Sequence, residues 1–93
     1  MRPVGRKAPV STAGVEVFNC RACEINSLVF RAVGALTMTI PGGGVDDGVP
    51  LNAGEAVSFS KTDFPDADPH DIIRFYAVAS VATYVNVYGF LRD

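Results

Sequence analysis

Apolar and polar residues alternate with a period of two through much of this chain, and no stretch carries a capped helical period. Leu36, Met38 and Ile40 alternate with Thr37 and Thr39, which gives one apolar face. Threonine suits the other face because its branched side chain fits the pleat. Val15 and Val17 alternate with Glu16 and Phe18, and Val57 and Phe59 with Ser58 and Ser60. Ser27–Val33 is rich in branched and aromatic residues, Ile72–Ser80 is the longest strong strand pattern, and Thr83–Leu91 is the last. Residues 19–26 leave room for one helical turn, with Asn19 an acceptable N-cap. About six or seven short strands separated by Gly/Pro turns predict an all-β domain, a small β-sandwich or a jelly-roll-like barrel.

The breaks between strands are legible. Pro41 removes a ladder donor, and Gly42, Gly43 and Gly44 admit backbone angles that other residues avoid. A loop is expected to continue from there through Pro50, followed by a tight turn at 51–55. A second polar loop, 61–71, holds four aspartates and two prolines. Residues 1–14 carry two prolines, two glycines and no hydrophobic period, which predicts an extended arm ahead of a single domain over 15–93.

Charge divides along the same line. The first 14 residues carry +3 from Arg2, Arg6 and Lys7, and the remaining 79 carry −5. A short basic arm ahead of an acidic body reads as an interaction tail. Three charges are few for nucleic acid, and an acidic groove on a protein fits them as well. No apolar run approaches the roughly 18 residues a membrane span requires. The N-terminus lacks the apolar core of a signal peptide, so the chain is expected to start at its own initiator and fold in a cytoplasm.

Candidates for chemistry are sparse. Cys20 and Cys23 form a Cys-x-x-Cys, but no βαβ pattern surrounds it, and zinc would need four ligands. The favoured reading is two small apolar side chains in a reduced compartment. Asp63, Asp66, Asp68 and Asp71 lie close together beside His70, yet their order does not match a calcium-binding EF-hand loop. Aspartates at such spacing cap turns, and Asp46 and Asp47 beside Gly48 read the same way. His70 is the one histidine, in a polar loop directly after a proline, so a catalytic triad is poorly served. The glycine triplet lacks the Gly-Lys-Ser/Thr sequel of a phosphate loop. The sequence therefore predicts a protein that is not an enzyme and uses no cofactor.

The last two strand patterns are apolar on both faces. With Val85, Val87 and Leu91 in a core, Tyr84, Tyr88 and Phe90 stand on the other side. Ile73, Phe75, Ala77 and Ala79 likewise leave Tyr76 on the opposite face. A chain of 93 residues has little left to cover a second layer, so Tyr76, Tyr84, Tyr88 and Phe90 are candidate interface residues. Stacking of RNA bases on these rings is opposed by the acidic body.

The stretch Val49-Pro50-Leu51-Asn52-Ala53-Gly54-Glu55-Ala56-Val57, then Ile72–Ser80, then Tyr84-Val85-Asn86-Val87-Tyr88-Gly89-Phe90 resembles small β-rich virion proteins of tailed bacteriophages, above all capsid decoration (cement) proteins. The likeness covers about the C-terminal half and brings no catalytic residues with it. It implies a structural protein on the capsid surface, made in the host bacterial cytoplasm, with the major capsid protein as partner. It also implies a homo-oligomer, for which a trimer is the family-level expectation, with no membrane and no direct nucleic-acid contact. On this reading Arg2, Arg6 and Lys7 lie along a capsid subunit, and the aromatic face packs on a sister copy or on the shell. Another small virion part, such as a head-fibre base or tail adaptor, and a calcium-dependent glycan-binding module are the alternatives.

Overall fold

The computed structural model describes residues 1–40 and 45–92, and the break expected at Pro41, Gly42, Gly43 and Gly44 lies outside them. Eight strands are present among the described residues: β1 (Arg2–Val10), β2 (Val15–Arg21), β3 (Ile25–Ala32), β4 (Leu36–Ile40), β5 (Val45–Leu51), β6 (Ala56–Phe59), β7 (Ile72–Val78) and β8 (Thr83–Leu91). Two single 3-10 turns interrupt them, at Ala22–Glu24 and Lys61–Asp63. No helix among the described residues is long and apolar enough to cross a membrane.

The strands form two four-stranded antiparallel sheets, in the orders β1-β8-β3-β6 and β2-β7-β4-β5. Apart from the β4–β5 hairpin, each strand is followed by one in the other sheet. This is the order of the eight-stranded jelly roll, two Greek keys folded face to face. The β-sandwich expected from the alternation is the fold observed, with eight strands where about six or seven were legible.

The inner faces are those the alternation marked. Phe30, Ile25 and Leu28 of β3, Val85 and Val87 of β8, Met38 of β4 and Phe75 of β7 are all fully buried. The rings interlock across the two sheets. Phe75 lies 4.8 Å from Phe30 and 5.5 Å from Phe59, centroid to centroid, with Phe64 at 6.2 Å and Phe18 at 6.3 Å. Burial of large apolar surface of this kind is the main force holding such a sandwich closed.

Two expectations are corrected. Residues 2–10 are not a free arm. They form β1, paired antiparallel with β8 in unbroken register from Arg2 opposite Leu91 to Val10 opposite Thr83. Ala8 and Val10 are buried core residues, so the domain begins at the start of the chain rather than at residue 15. Residues 45–50, expected as loop, form β5 together with Leu51, which was expected to open the turn at 51–55. Both strands lie at sheet edges. Pro3, Pro9 and Pro50 are tolerated there because one row of edge N–H groups has no ladder partner to lose.

The sandwich has two unlike ends. At one, β1–β2, β3–β4, β5–β6 and β7–β8 are joined by short turns tied by backbone hydrogen bonds, such as Ala79 N to Ser11 O and Gly54 N to Ala32 O. At the other, the 60–71 loop is anchored to the Ala22–Glu24 turn through Ala22 N to Asp71 O and Cys23 N to Pro69 O.

Candidate functional site

β8 is the second strand of its sheet, flanked by β1 and β3. Its period of two sends Val85, Val87 and Leu91 into the core. Tyr84, Asn86, Tyr88 and Phe90 therefore stand on the outer face, and the three rings remain 45%, 37% and 49% exposed. The register then fixes their neighbours. On β1, Pro9 lies opposite Tyr84, Lys7 opposite Asn86 and Pro3 opposite Phe90. On β3, Arg31 lies opposite Asn86, Val29 opposite Tyr88 and Ser27 opposite Phe90. β6 adds Ser58 beside Val29 and Ala56 beside Arg31. None of these positions is acidic, so the face is aromatic and cationic.

Each tyrosine is held by a cation from the neighbouring strand. The Lys7 ammonium sits 4.5 Å from the centre of the Tyr84 ring, a cation–π contact. Arg31 Nε donates to the Tyr88 hydroxyl oxygen at 3.1 Å, while its Nη1 donates to the Gly54 carbonyl at 2.8 Å. Rings fixed before binding lose less side-chain freedom on docking.

The candidate residues divide between several places. Tyr84, Tyr88, Phe90 and Lys7 come together on this face. Tyr76 does not join them. It belongs to β7 and stands on the outer face of the other sheet, opposite Thr39 and Glu16. Arg2 and Arg6 fall on the inward-facing parity of β1, with Val4, Ala8 and Val10. Arg2 pairs with Glu24, and Arg6 lies close enough to help hold the Glu16 carboxyl down. The expected basic arm is thus dispersed. Sequence reading missed Arg31 and Asn86. The period of two already set Asn86 between the rings on β8, without assigning it a role, and only the pairing of β8 with β3 places Arg31 beside them.

The remaining chemistry is structural. Cys20 is buried in the core, and its thiol is pushed up to about 12, first by burial and then by the Glu24 charge. A thiol so disfavoured as thiolate is a poor nucleophile and a poor metal ligand. Asp63, Asp68 and Asp71 accept hydrogen bonds from the backbone N–H groups of Ser60, His70 and Asp68. They close turns within the loop. Among the described residues, no three His, Cys, Asp or Glu side chains converge as a metal site requires.

On the outer face of the second sheet, Arg74 Nη1 donates to Glu16 Oε1 at 2.9 Å. That hydrogen bond is the first cause of a lowered Glu16 pKa. Glu24 is lowered as well, chiefly by the Arg21 N–H donated to its Oε1 at 2.8 Å. No family model matches the sequence, and no curated protein or solved structure matches it.

Proposed function

We propose that this chain is a non-enzymatic structural protein of a virion that binds the assembled capsid shell where subunits of the major capsid protein meet. The observation that carries this reading is the row of exposed rings on β8, Tyr84, Tyr88 and Phe90, in a sheet face with no acidic strand position. Aromatic and arginine side chains are enriched in protein interfaces, and exposed apolar surface rimmed by polar residues marks a site of interaction. The residues best placed for catalysis favour the same class of reading. Cys20 is buried with a raised pKa, and three loop aspartates are engaged by backbone N–H groups. The jelly-roll topology recurs in viral capsid and lectin domains, though a fold alone assigns no function.

Because β1 is part of the sheet, docking falls to the sheet face rather than to a free arm. A protein that binds only the assembled shell stabilises that state by mass action. Many copies across the seams would resist expansion of the shell, and a homo-oligomer would bring several faces to one junction. The test is co-sedimentation of the purified chain with empty shells assembled from the major capsid protein encoded alongside it, with solution mass measured by light scattering. Saturable pelleting supports the reading. A chain that stays in the supernatant at every concentration refutes it.

A further inference from the structure

Lys7, Asn86 and Arg31 lie at one level across three adjacent strands, since Asn86 is the register partner of both cations. Adjacent strands are about 4.8 Å apart, so the two cationic strand positions are roughly 10 Å from each other. Tyr84 and Tyr88 stand on either side of this row along β8. The row offers donors in several places. Arg31 uses one N–H on Tyr88 and one on Gly54, and a guanidinium has five. The Tyr88 oxygen already accepts from Arg31, which leaves its own O–H to point at a ligand.

We infer that this Lys7–Asn86–Arg31 row, framed by Tyr84 and Tyr88, seats carboxylates of an acidic, flat protein surface. The inference deepens the capsid-binding reading and rests on it for the partner's identity. Charge complementarity selects the partner class. The chain carries −2 overall, so with the +2 of Lys7 and Arg31 set aside the remainder carries −4. A polyanion running past the face would meet that negative remainder within about a Debye length of roughly 10 Å. A pair of carboxylates confined to a folded surface would not, and two cations release too few counterions to hold a nucleic acid. Two copies of this face opposed to one another would bring like charges together. The size fits a protein partner. The molecule measures 35 × 25 × 17 Å by its principal axes, so its broad face offers on the order of 900 Å², close to the roughly 800 Å² per partner of a standard interface.

The test has two arms. In the first, co-sedimentation with empty shells is measured from about 50 to 500 mM NaCl for the native chain, for Lys7→Glu/Arg31→Glu and for Arg74→Glu on the other sheet. Affinity is expected to fall about tenfold or more with the double reversal and with salt, and less than about threefold with Arg74→Glu. If the native chain pellets but the double reversal pellets equally well, the inference falls while the capsid reading stands. If the native chain does not pellet, the capsid reading falls.

The second arm then decides the inference alone. Amide resonances of the folded chain are followed during titration with a short peptide carrying two glutamates, with the same peptide carrying lysines in their place, and with an oligo-dT strand. Shifts centred on Lys7, Arg31, Asn86 and Tyr88 with the glutamate peptide, absent with the lysine peptide, are the expected result. No shifts with the glutamate peptide, or a stronger response to oligo-dT, overturns it.

Discussion

Replacing Phe75 by alanine should remove a large share of this protein's stability. Phe75 is completely buried, and its ring sits within 6.3 Å of four others, Phe18 on its own sheet's β2, Phe30 and Phe59 on the opposite sheet, and Phe64 in the 60–71 loop. The alanine leaves a cavity between the sheets that neighbouring rings can fill only in part. Buried Phe→Ala changes cost about 3–5 kcal/mol, and the tight ring contacts place this one in the upper half of that range. At about 0.05–0.15 kcal/mol per residue, a domain of this length holds roughly 5–14 kcal/mol in total. A loss near 4 kcal/mol would lower Tm by about 15–30 °C in a domain of this size. Urea unfolding followed by circular dichroism measures the change, with the m-value confirming that the unfolded state is unaltered. Tyr76→Ala on the outer face serves as control, with an expected loss below about 1 kcal/mol. A Phe75→Ala loss below about 1.5 kcal/mol with an unchanged m-value would refute the ring cluster as the bridge between sheets.

Deleting residues 2–10 should abolish cooperative unfolding, because it removes the buried Ala8 and Val10 and strips one side of β8; a shortened chain that still gives dispersed amide resonances would show that β1 is dispensable. Gly89→Ala should cost more than about 2 kcal/mol by thermal melting, since Gly89 has φ +137° and an added Cβ would fall 2.0 Å from the Ser27 carbonyl oxygen. Stability should also fall in acid. Glu16 and Glu24 are both held below the ordinary 4.5 in the folded chain, so their contribution is complete above that value and is lost as pH drops through their folded pKa. Urea midpoints measured from about pH 6 down to pH 2.5 should therefore decline more steeply for the native chain than for Glu16→Gln/Glu24→Gln, and parallel curves would contradict the assignment.

The sequence was most legible where burial is one-sided. Leu36 and Met38 of β4 alternate cleanly with Thr37 and Thr39 because one face meets the core and the other meets water. β1 and β5 escaped because Pro3, Gly5 and Pro9, and then Gly48 and Pro50, read as loop. At a sheet edge a proline loses no ladder bond, so composition there says little about pairing. The short turn at Ala22–Glu24 falls within the stretch where a single helical turn was expected, but the chain remains in β2 through Arg21, so Asn19 is not its cap.

The candidate face was half visible. Period two alone places Tyr84, Tyr88 and Phe90 together, because they share one strand. Tyr76 looked equivalent until the topology put β7 in the other sheet. Lys7 and Arg31 are 24 positions apart in the chain, and only the β1-β8-β3 order lays them on either side of Asn86. Long-range strand order depends on how two Greek keys close over one core, and no local pattern encodes it.

The most direct test of the docking face is shell binding by Tyr84→Ala/Tyr88→Ala/Phe90→Ala, compared with Ile72→Ala/Val78→Ala on the outer face of the other sheet. The β8 variant should stay folded by circular dichroism and lose about a hundredfold or more in affinity in co-sedimentation, while the β7 variant binds as the native chain does. Equal binding by all three chains, or loss only in the β7 variant, would show that the outer face of β8 is not the docking surface.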